Sequence, residues 1–252
     1  MNEQNKFYRS ELLERVNFTP ELAAFRFRPP EPFRFKAGQY ATLAFEEEGE
    51  LIQRAYSIVS SPYEPFLDFF IELVSDGYLT PKLWKLQPND EVLIRKRIVG
   101  DFVLDEKSGR TRHLMLATVT GIAPFLSIIR TQKIERRMGK KSPHRFLIIH
   151  GASHSSEFGS YRHELEEVSR EGWVRYVPTI SRPWGDEVWK GEVGRVEDVL
   201  RKYADRFGYD HKRATAYAVG HPSMIENVKG MLTRALFTEE QFKEEKYFTA
   251  GG

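Results

Sequence analysis

The chain has 252 residues, 38 Lys and Arg against 36 Asp and Glu, a formal charge of +2 and no cysteine. Near charge balance argues against a polycation built for nucleic acid. The missing cysteines exclude disulfides, thiolate nucleophiles, zinc ribbons and cysteine-ligated iron–sulfur clusters, and no metal site is expected. No apolar run nears the ~20 residues that span a bilayer, and the start, MNEQNKFYRS, lacks a signal-peptide core. A cytoplasmic protein of one large domain or two ordinary ones is expected.

The first hundred residues read as strands broken by turns. LAAFRFRPP, QYATLAFEEEGE, RAYSIVS, FLDFFIELVS and DEVLIRKRIVGDFVL alternate or run apolar, and PPEP, EEEGE, SPYEP and QPND separate them. One helix interrupts, TPKLWKL, with Thr80 as its N-cap and Pro81 at its first position. Many short strands at regular spacing predict an antiparallel β-barrel over residues 1–104.

The polar run Asp105–Arg112 reads as a linker. The rhythm then changes over residues 113–252. HLMLATV precedes helix-like APFLSIIRTQ, and RFLIIHGA precedes SYRHELEEVSRE. WVRYVPTIS leads to VEDVLRKYAD, and ATAYAVG to SMIENVKGMLTRAL. Four strand–helix alternations predict an α/β domain with a parallel sheet. Ligands of such sheets bind beyond the carboxyl ends of the strands. Those ends read TVTGIAP, HGASH, TISRP and VGHPS, all small, polar or turn-forming.

TVTGIAP joins a strand to a helix through threonine and glycine, a turn whose free amides and helix dipole suit a phosphate. It lacks the glycine spacing of a dinucleotide fingerprint and the lysine of a P-loop. Ser181–Arg182 at the third strand end suits a phosphate monoester, since a guanidinium forks onto two oxygens. Gly220 and Pro222 frame a tight bend before the last helix. Arg54, Tyr56 and Ser57 open one barrel strand with a cation, a phenol and a hydroxyl. Each of these, taken alone, also reads as ordinary loop or strand-edge chemistry.

Their order along the chain resembles the ferredoxin–NADP reductase family, its bacterial-type members most closely. R-x-Y-S is followed by G-x-L-[ST] before a helix, then T-G-I-A-P, a Ser–Arg strand end and G-x-P-x-M. The resemblance implies an FAD-binding barrel, an NADP(H)-binding α/β domain and hydride transfer between nicotinamide and flavin. Arg54 would neutralise the FAD pyrophosphate, Tyr56 would cover one face of the flavin ring, and Ser57 would hydrogen-bond near its reactive nitrogen. Ala55 lies between them. The amides of Tyr78, Leu79 and Thr80 would hold the pyrophosphate, and Phe70, Ile71, Glu72 and Leu73 would line FAD through backbone.

For NADP, the resemblance assigns Thr120 and Gly121 to the space between nicotinamide and flavin. Gly151 and Ala152 would lie near the nucleotide, Ser181, Arg182 and Arg195 would grip the 2′-phosphate, and Gly220, Pro222 and Met224 would border the nicotinamide. The tail FKEEKYFTAGG would return to the flavin. Tyr247 would be a lid over the ring, with Phe248 beside it, and Glu245 a carboxylate near the nicotinamide. Val119 stands where the family usually carries glycine, Val219 where a cysteine is common, and Ser153 near an expected arginine; protonated His154 is a partial substitute for that arginine. Ser57, Tyr247 and Glu245 are thus the implied catalytic set.

The family's partners are ferredoxin and flavodoxin. Basic clusters including Lys36, Arg95, Lys96 and Arg97 would steer these acidic carriers. No nucleic-acid or membrane partner is expected. Two alternatives stay open: the NAD(P)H-dependent reductase component of an oxygenase system, and a non-catalytic flavin-binding protein.

Overall fold

The computed structural model describes residues 3–247, which form two compact units. Among the described residues the first comprises 3–104 together with Ala123–Lys140, and the second comprises Asp105–Ile122 and 141–247. Among the described residues no helix is long and apolar enough to cross a membrane.

Six antiparallel strands build the first unit: β1 (Phe7–Asn17), β2 (Leu22–Phe27), β3 (Tyr40–Glu47), β4 (Glu50–Ser57), β5 (Leu67–Glu72) and β6 (Glu91–Arg95). Their order is β4-β3-β6-β1-β2-β5. The two edges then meet. Ile58 bridges Phe69 and the Val59 amide donates to the Asp68 carbonyl (2.8 Å), so RAYSIVS closes the sheet into a barrel. Closure removes the exposed edges that an open sheet must protect. Inward residues such as Leu12, Phe25, Phe27, Leu43, Ile58, Phe69 and Ile71 fill it. The strand β1 has mixed polarity (FYRSELLERVN), which conceals it from pattern reading.

The helix predicted at TPKLWKL is one turn, α1 (Thr80–Leu83), with Leu79 rather than Thr80 at the N-cap and Pro81 in the first turn. The Thr80 hydroxyl is committed elsewhere: it donates to the Val74 carbonyl and accepts from the Val74 amide, both at 3.0 Å. This staple closes the loop after β5.

The second unit holds β7 (Arg112–Thr118), β8 (Arg145–Ala152), β9 (Val174–Ile180), β10 (Glu192–Val193), β11 (Ala214–Gly220) and β12 (Phe242–Lys246). They form a parallel sheet in the order β10-β9-β8-β7-β11-β12. The central strands read as continuous apolar runs because they are buried on both faces, and every residue of β11 is buried. The helix α2 (Ala123–Arg137) follows β7 and belongs to the first unit. The second unit contains α3 (Tyr161–Ser169), α4 (Val196–Phe207) and α5 (Pro222–Arg234). Segment FKEEK, read as part of a tail, is the edge strand β12, in register with β11 from Ala216↔Phe242 to Gly220↔Lys246. Its charges suit an edge.

Residues 105–112, read as a linker, are tied into the second unit. The Asp105 amide donates to the Tyr217 hydroxyl (2.9 Å), and its carboxylate accepts from Thr215 (2.7 Å) and Ser108 (2.5 Å). Burial opposes the Asp105 charge, but these bonds and Arg110 hold its carboxyl down at about 2. Behind it, buried His113 meets the Tyr217 hydroxyl (3.3 Å) and His144 (2.8 Å). Burial, and then the neighbouring His144, lower His113 from 6.5 to about 3.

A lowered histidine stabilises the fold in its neutral form. The contribution is complete above the unfolded value near 6.5 and is lost as pH falls from there toward about 3. The thermal midpoint is therefore expected to fall between pH 7.5 and pH 4.5, and His113→Gln to fall less over the same interval. Parallel pH profiles for the two proteins would exclude His113 as a source of the acid sensitivity.

Candidate functional site

In the first unit, one patch collects the residues singled out in the barrel. The bridge Ile58↔Phe69 continues the antiparallel register so that Ser57, at the end of β4, faces the neighbourhood of Phe70. Ser57, Phe70 and Ile71 are buried, Tyr56 is half-buried, and Arg54, Ala55 and Glu72 are exposed. Burial pushes the Tyr56 phenol up, with Arg54 opposing, so it stays a neutral donor. The Arg54 guanidinium touches only the Gln53 carbonyl (2.8 Å) and has no carboxylate partner among the described residues. The Thr80 staple holds Tyr78, Leu79 and Thr80 at the end of the loop that leaves β5 beside Leu73. Among the described residues the amides of these three donate to no other group of the chain. Such a row of amides at a helix start accepts anions.

In the second unit the strand ends converge. A Cβ on Gly121 would lie 2.4 Å from the Val219 carbonyl oxygen, one on Gly220 would lie 2.1 Å from Thr118 Oγ1, and one on Gly151 would lie 2.7 Å from a Val196 methyl. The Thr118 hydroxyl also accepts from the His221 amide (3.0 Å), joining the ends of β7 and β11. Pro222 opens α5, whereas Met224 is buried in the helix-side core, which leaves chiefly its backbone for a ligand. Gly151 and Ala152 end β8, and the Ser181 amide donates to the Ala152 carbonyl (2.9 Å).

The short strand β10 sets the cations. Gly194 donates to the Ile180 carbonyl (2.9 Å), so Arg195 emerges beside the Ser181–Arg182 end of β9. Both guanidiniums are exposed, and neither has a carboxylate partner among the described residues. Nearby, Ser153 and His154 give their amides to Glu157 (3.0 and 3.2 Å).

Tyr247 is tied at both ends. Its amide donates to the Gly220 carbonyl (3.1 Å) and its hydroxyl to the Thr120 carbonyl (3.0 Å). It therefore lies across the ends of β7 and β11, and Glu245 stands in register with Val219 two residues before it. Phe248 falls outside the described residues.

Pattern reading does not find two further features of this site. Val119 has φ +42°, a left-handed conformation that costs a β-branched residue on the order of 1–3 kcal/mol. Its side chain packs against the small cluster of Ala152, Phe158 and Ile180. Its carbonyl is 2.8 Å from Nε2 of the fully buried His150, whose Nδ1 is 3.1 Å from the Tyr176 hydroxyl. A carbonyl only accepts, so Nε2 carries the hydrogen, and Nδ1 of the neutral ring accepts from Tyr176. Burial lowers His150 to about 4, against a smaller opposing effect of the Val119 bond.

A family model described as "Oxidoreductase FAD-binding domain" matches residues 9–100, and one described as "Oxidoreductase NAD-binding domain" matches residues 115–230. The chain is 32% identical over 220 residues to the flavodoxin/ferredoxin–NADP reductase of Escherichia coli strain K12, covering 84% of each. It is 29% identical over 241 residues to the ferredoxin–NADP reductase of Pseudomonas aeruginosa, covering 90% of each. This chain belongs to the flavodoxin/ferredoxin–NADP reductase family. A solved structure of a ferredoxin NADP+ reductase from Neisseria gonorrhoeae with bound FAD and NADP has a TM-score of 0.83 at 29% identity, over 96% of this chain and 99% of that one. The Plasmodium falciparum ferredoxin–NADP+ reductase, at 18% identity and a TM-score of 0.79 over 97% of each chain, shares the fold. The reductase is thus an oxidoreductase with FAD as cofactor and NADP(H) as co-substrate.

Because Gly121 abuts the Val219 carbonyl, Gly121→Ala forces backbone apart at the strand ends. Displacements of this size cost up to about a hundredfold when they misplace a ligand. NADP+ affinity is expected to fall at least tenfold by that measure, with FAD content unchanged. Titration with NADP+ followed in the visible spectrum tests this, and unchanged affinity would show that the turn tolerates the methyl.

Proposed function

We propose that this reductase moves electrons between NADP(H) and a ferredoxin or flavodoxin through bound FAD. The observation that carries the nucleotide half is the pair Arg182 and Arg195, brought side by side by β10 with no carboxylate of their own. Two free guanidiniums beside a serine suit the dianionic 2′-phosphate that separates NADPH from NADH. The relatives from E. coli and P. aeruginosa, named for ferredoxin or flavodoxin, support the carrier half.

The residues present fit both groups. On the barrel, unpaired Arg54 and the amides of Tyr78, Leu79 and Thr80 are free to hold a pyrophosphate. Tyr56 offers a flat neutral ring, which stacks well on another flat ring. Ser57 would hydrogen-bond at the reactive edge, and Ala55 and the backbone of Phe70, Ile71, Glu72 and Leu73 would complete the wall. On the parallel sheet, glycines at 121, 151 and 220 leave room for backbone-close approach, with Thr120, Ala152, Pro222 and Met224 around them. FAD, when bound, accepts hydride from the nicotinamide and releases electrons singly to the carrier.

The chain's own task is placement and gating. Tyr247 would cover the face that the nicotinamide must reach, so its two hydrogen bonds to Thr120 and Gly220 would break as substrate enters. Such gating lowers apparent affinity by the closed fraction. Glu245, held on β12 at the level of Val219, would stand near the nicotinamide. On the barrel, Lys36 and Arg95–Arg97 lie on segments joined by the Gln39–Gly100 bond (2.9 Å) and the Tyr40↔Val99 bridge. None makes an ion pair among the described residues, so their field is available to steer an acidic carrier.

Steady-state reduction of purified ferredoxin and flavodoxin with NADPH, and separately with NADH, tests the whole reading. Reduction of neither carrier would overturn it. Losing a charged hydrogen bond costs about 1.5–3 kcal/mol, so Arg182→Ala should raise the KM for NADPH by roughly tenfold or more and leave that for NADH nearly unchanged. Equal changes would show that Arg182 does not read the 2′-phosphate. By the same energy, Arg54→Ala should release FAD on dilution at roughly tenfold higher protein concentration than the unaltered chain, checked by gel filtration and absorbance.

A further inference from the structure

We infer that His150 is a positioning residue for the nucleotide: through its hydrogen bond to the Val119 carbonyl it holds the Val119–Thr120 peptide so that the Thr120 amide faces the ligand. This rests on the reading of the Thr120–Gly121 turn as the nucleotide contact. The peptide is trans and planar, so its C=O and N–H point in opposite directions. The carbonyl points at a ring with no exposed surface, 2.8 Å away, and the amide of Thr120 is therefore turned away from that interior.

The bond has something to hold. Val119 sits at φ +42°, where a residue branched at Cβ is disfavoured. Released from its partner, the peptide would gain by rotating, carrying the Thr120 amide and carbonyl with it. Two other contacts keep the clamp rigid. The Tyr176 hydroxyl (3.1 Å) fixes the tautomer with hydrogen on Nε2, and the Phe158 ring stands edge to the imidazole at 4.8 Å. The Val119 side chain packs on the cluster of Ala152, Phe158 and Ile180, so it favours the same geometry that its backbone resists. The Thr120 carbonyl, at the far side of the held residue, is the acceptor of Tyr247. One buried imidazole thus sets the orientation of both the anion-facing amide and the lid's anchor.

The test uses the FAD-loaded protein and four variants: His150→Leu, His150→Gln, Val119→Gly, and His150→Leu with Val119→Gly. His150→Leu is expected to raise the KM for NADPH about tenfold with kcat little changed, the scale of one lost buried hydrogen bond. FAD content and the free flavin spectrum should not move. His150→Gln keeps an N–H donor and should recover most of the loss. Adding Val119→Gly to His150→Leu should also recover it, because glycine adopts φ +42° without a clamp. An unchanged KM in His150→Leu, or a loss that neither glutamine nor Val119→Gly repairs, would reduce His150 to a packing residue. If His150→Leu does not fold, Tyr176→Phe replaces it, with a KM rise of roughly threefold expected from the weakened tautomer. The 15N spectrum of the unaltered holoprotein should show His150 with hydrogen on Nε2, and the opposite tautomer would overturn the inference. Should the unaltered protein fail to oxidise NADPH with any acceptor, the functional reading fails instead, which the variants cannot imitate.

Discussion

Backbone meets backbone at the carboxyl ends of β7 and β11, and this contact governs how the second unit presents itself. The Val219 carbonyl leaves no room for a side chain at Gly121, and Thr118 leaves none at Gly220. Both glycines follow from the same cause: two parallel strands continue toward each other after their ladder ends, and a Cβ on either would separate them. The Thr118 hydroxyl completes the junction by accepting the His221 amide. Because the gap is closed by main chain, its surface is a set of peptide groups, which suits a polyanionic ligand better than an apolar pocket would.

That crowding has a cost at Val119. The turn must bend back at φ +42°, and the residue doing so is branched. Its methyls bury against the small cluster around Phe158, and His150 takes its carbonyl, so local strain is offset by packing and by a buried hydrogen bond. Burial keeps the ring neutral, so Nδ1 can accept from Tyr176 while Nε2 donates to Val119. A similar economy appears at the other end of the sheet. There His113, Tyr217, Thr215 and Asp105 satisfy one another and bind the entering chain to the second unit.

The barrel solves a different problem with one segment. Residues 54–60 must close the sheet, and closure needs backbone pairing only at Ile58 and Val59. Of the preceding residues on β4, Arg54 and Ala55 are exposed, while the Tyr56 ring packs partly on the barrel core. The loop after β5, stapled by Thr80, brings a row of amides to the same patch. A second latch, at the same seam, is ionic. Buried Asp68 holds Arg26 (2.8 Å) and Arg130 of α2 (3.3 Å), which fastens that helix to the barrel. This explains why α2 counts with the first unit although its sequence directly follows a strand of the second.

Local pattern was enough to reveal the barrel strands with alternating or apolar runs, the four strand–helix pairs, and the glycine-, serine- and arginine-bearing strand ends. Periodicity and turn chemistry are properties of neighbouring residues, and both faces of β7, β8 and β11 are buried, which writes them as apolar runs. The strands β1 and β12 were illegible because their mixed or charged residues are explained only by the partner strands beside them. Thr80 reads as a cap until the fold brings Val74 within reach of its hydroxyl. The left-handed Val119, the hydrogen on His150 Nε2, the pairing of Arg182 with Arg195 through β10, and the anchoring of Tyr247 on Thr120 join residues 13 to 127 positions apart. Such contacts arise only when the sheet sets its strand ends side by side, and no local preference encodes them.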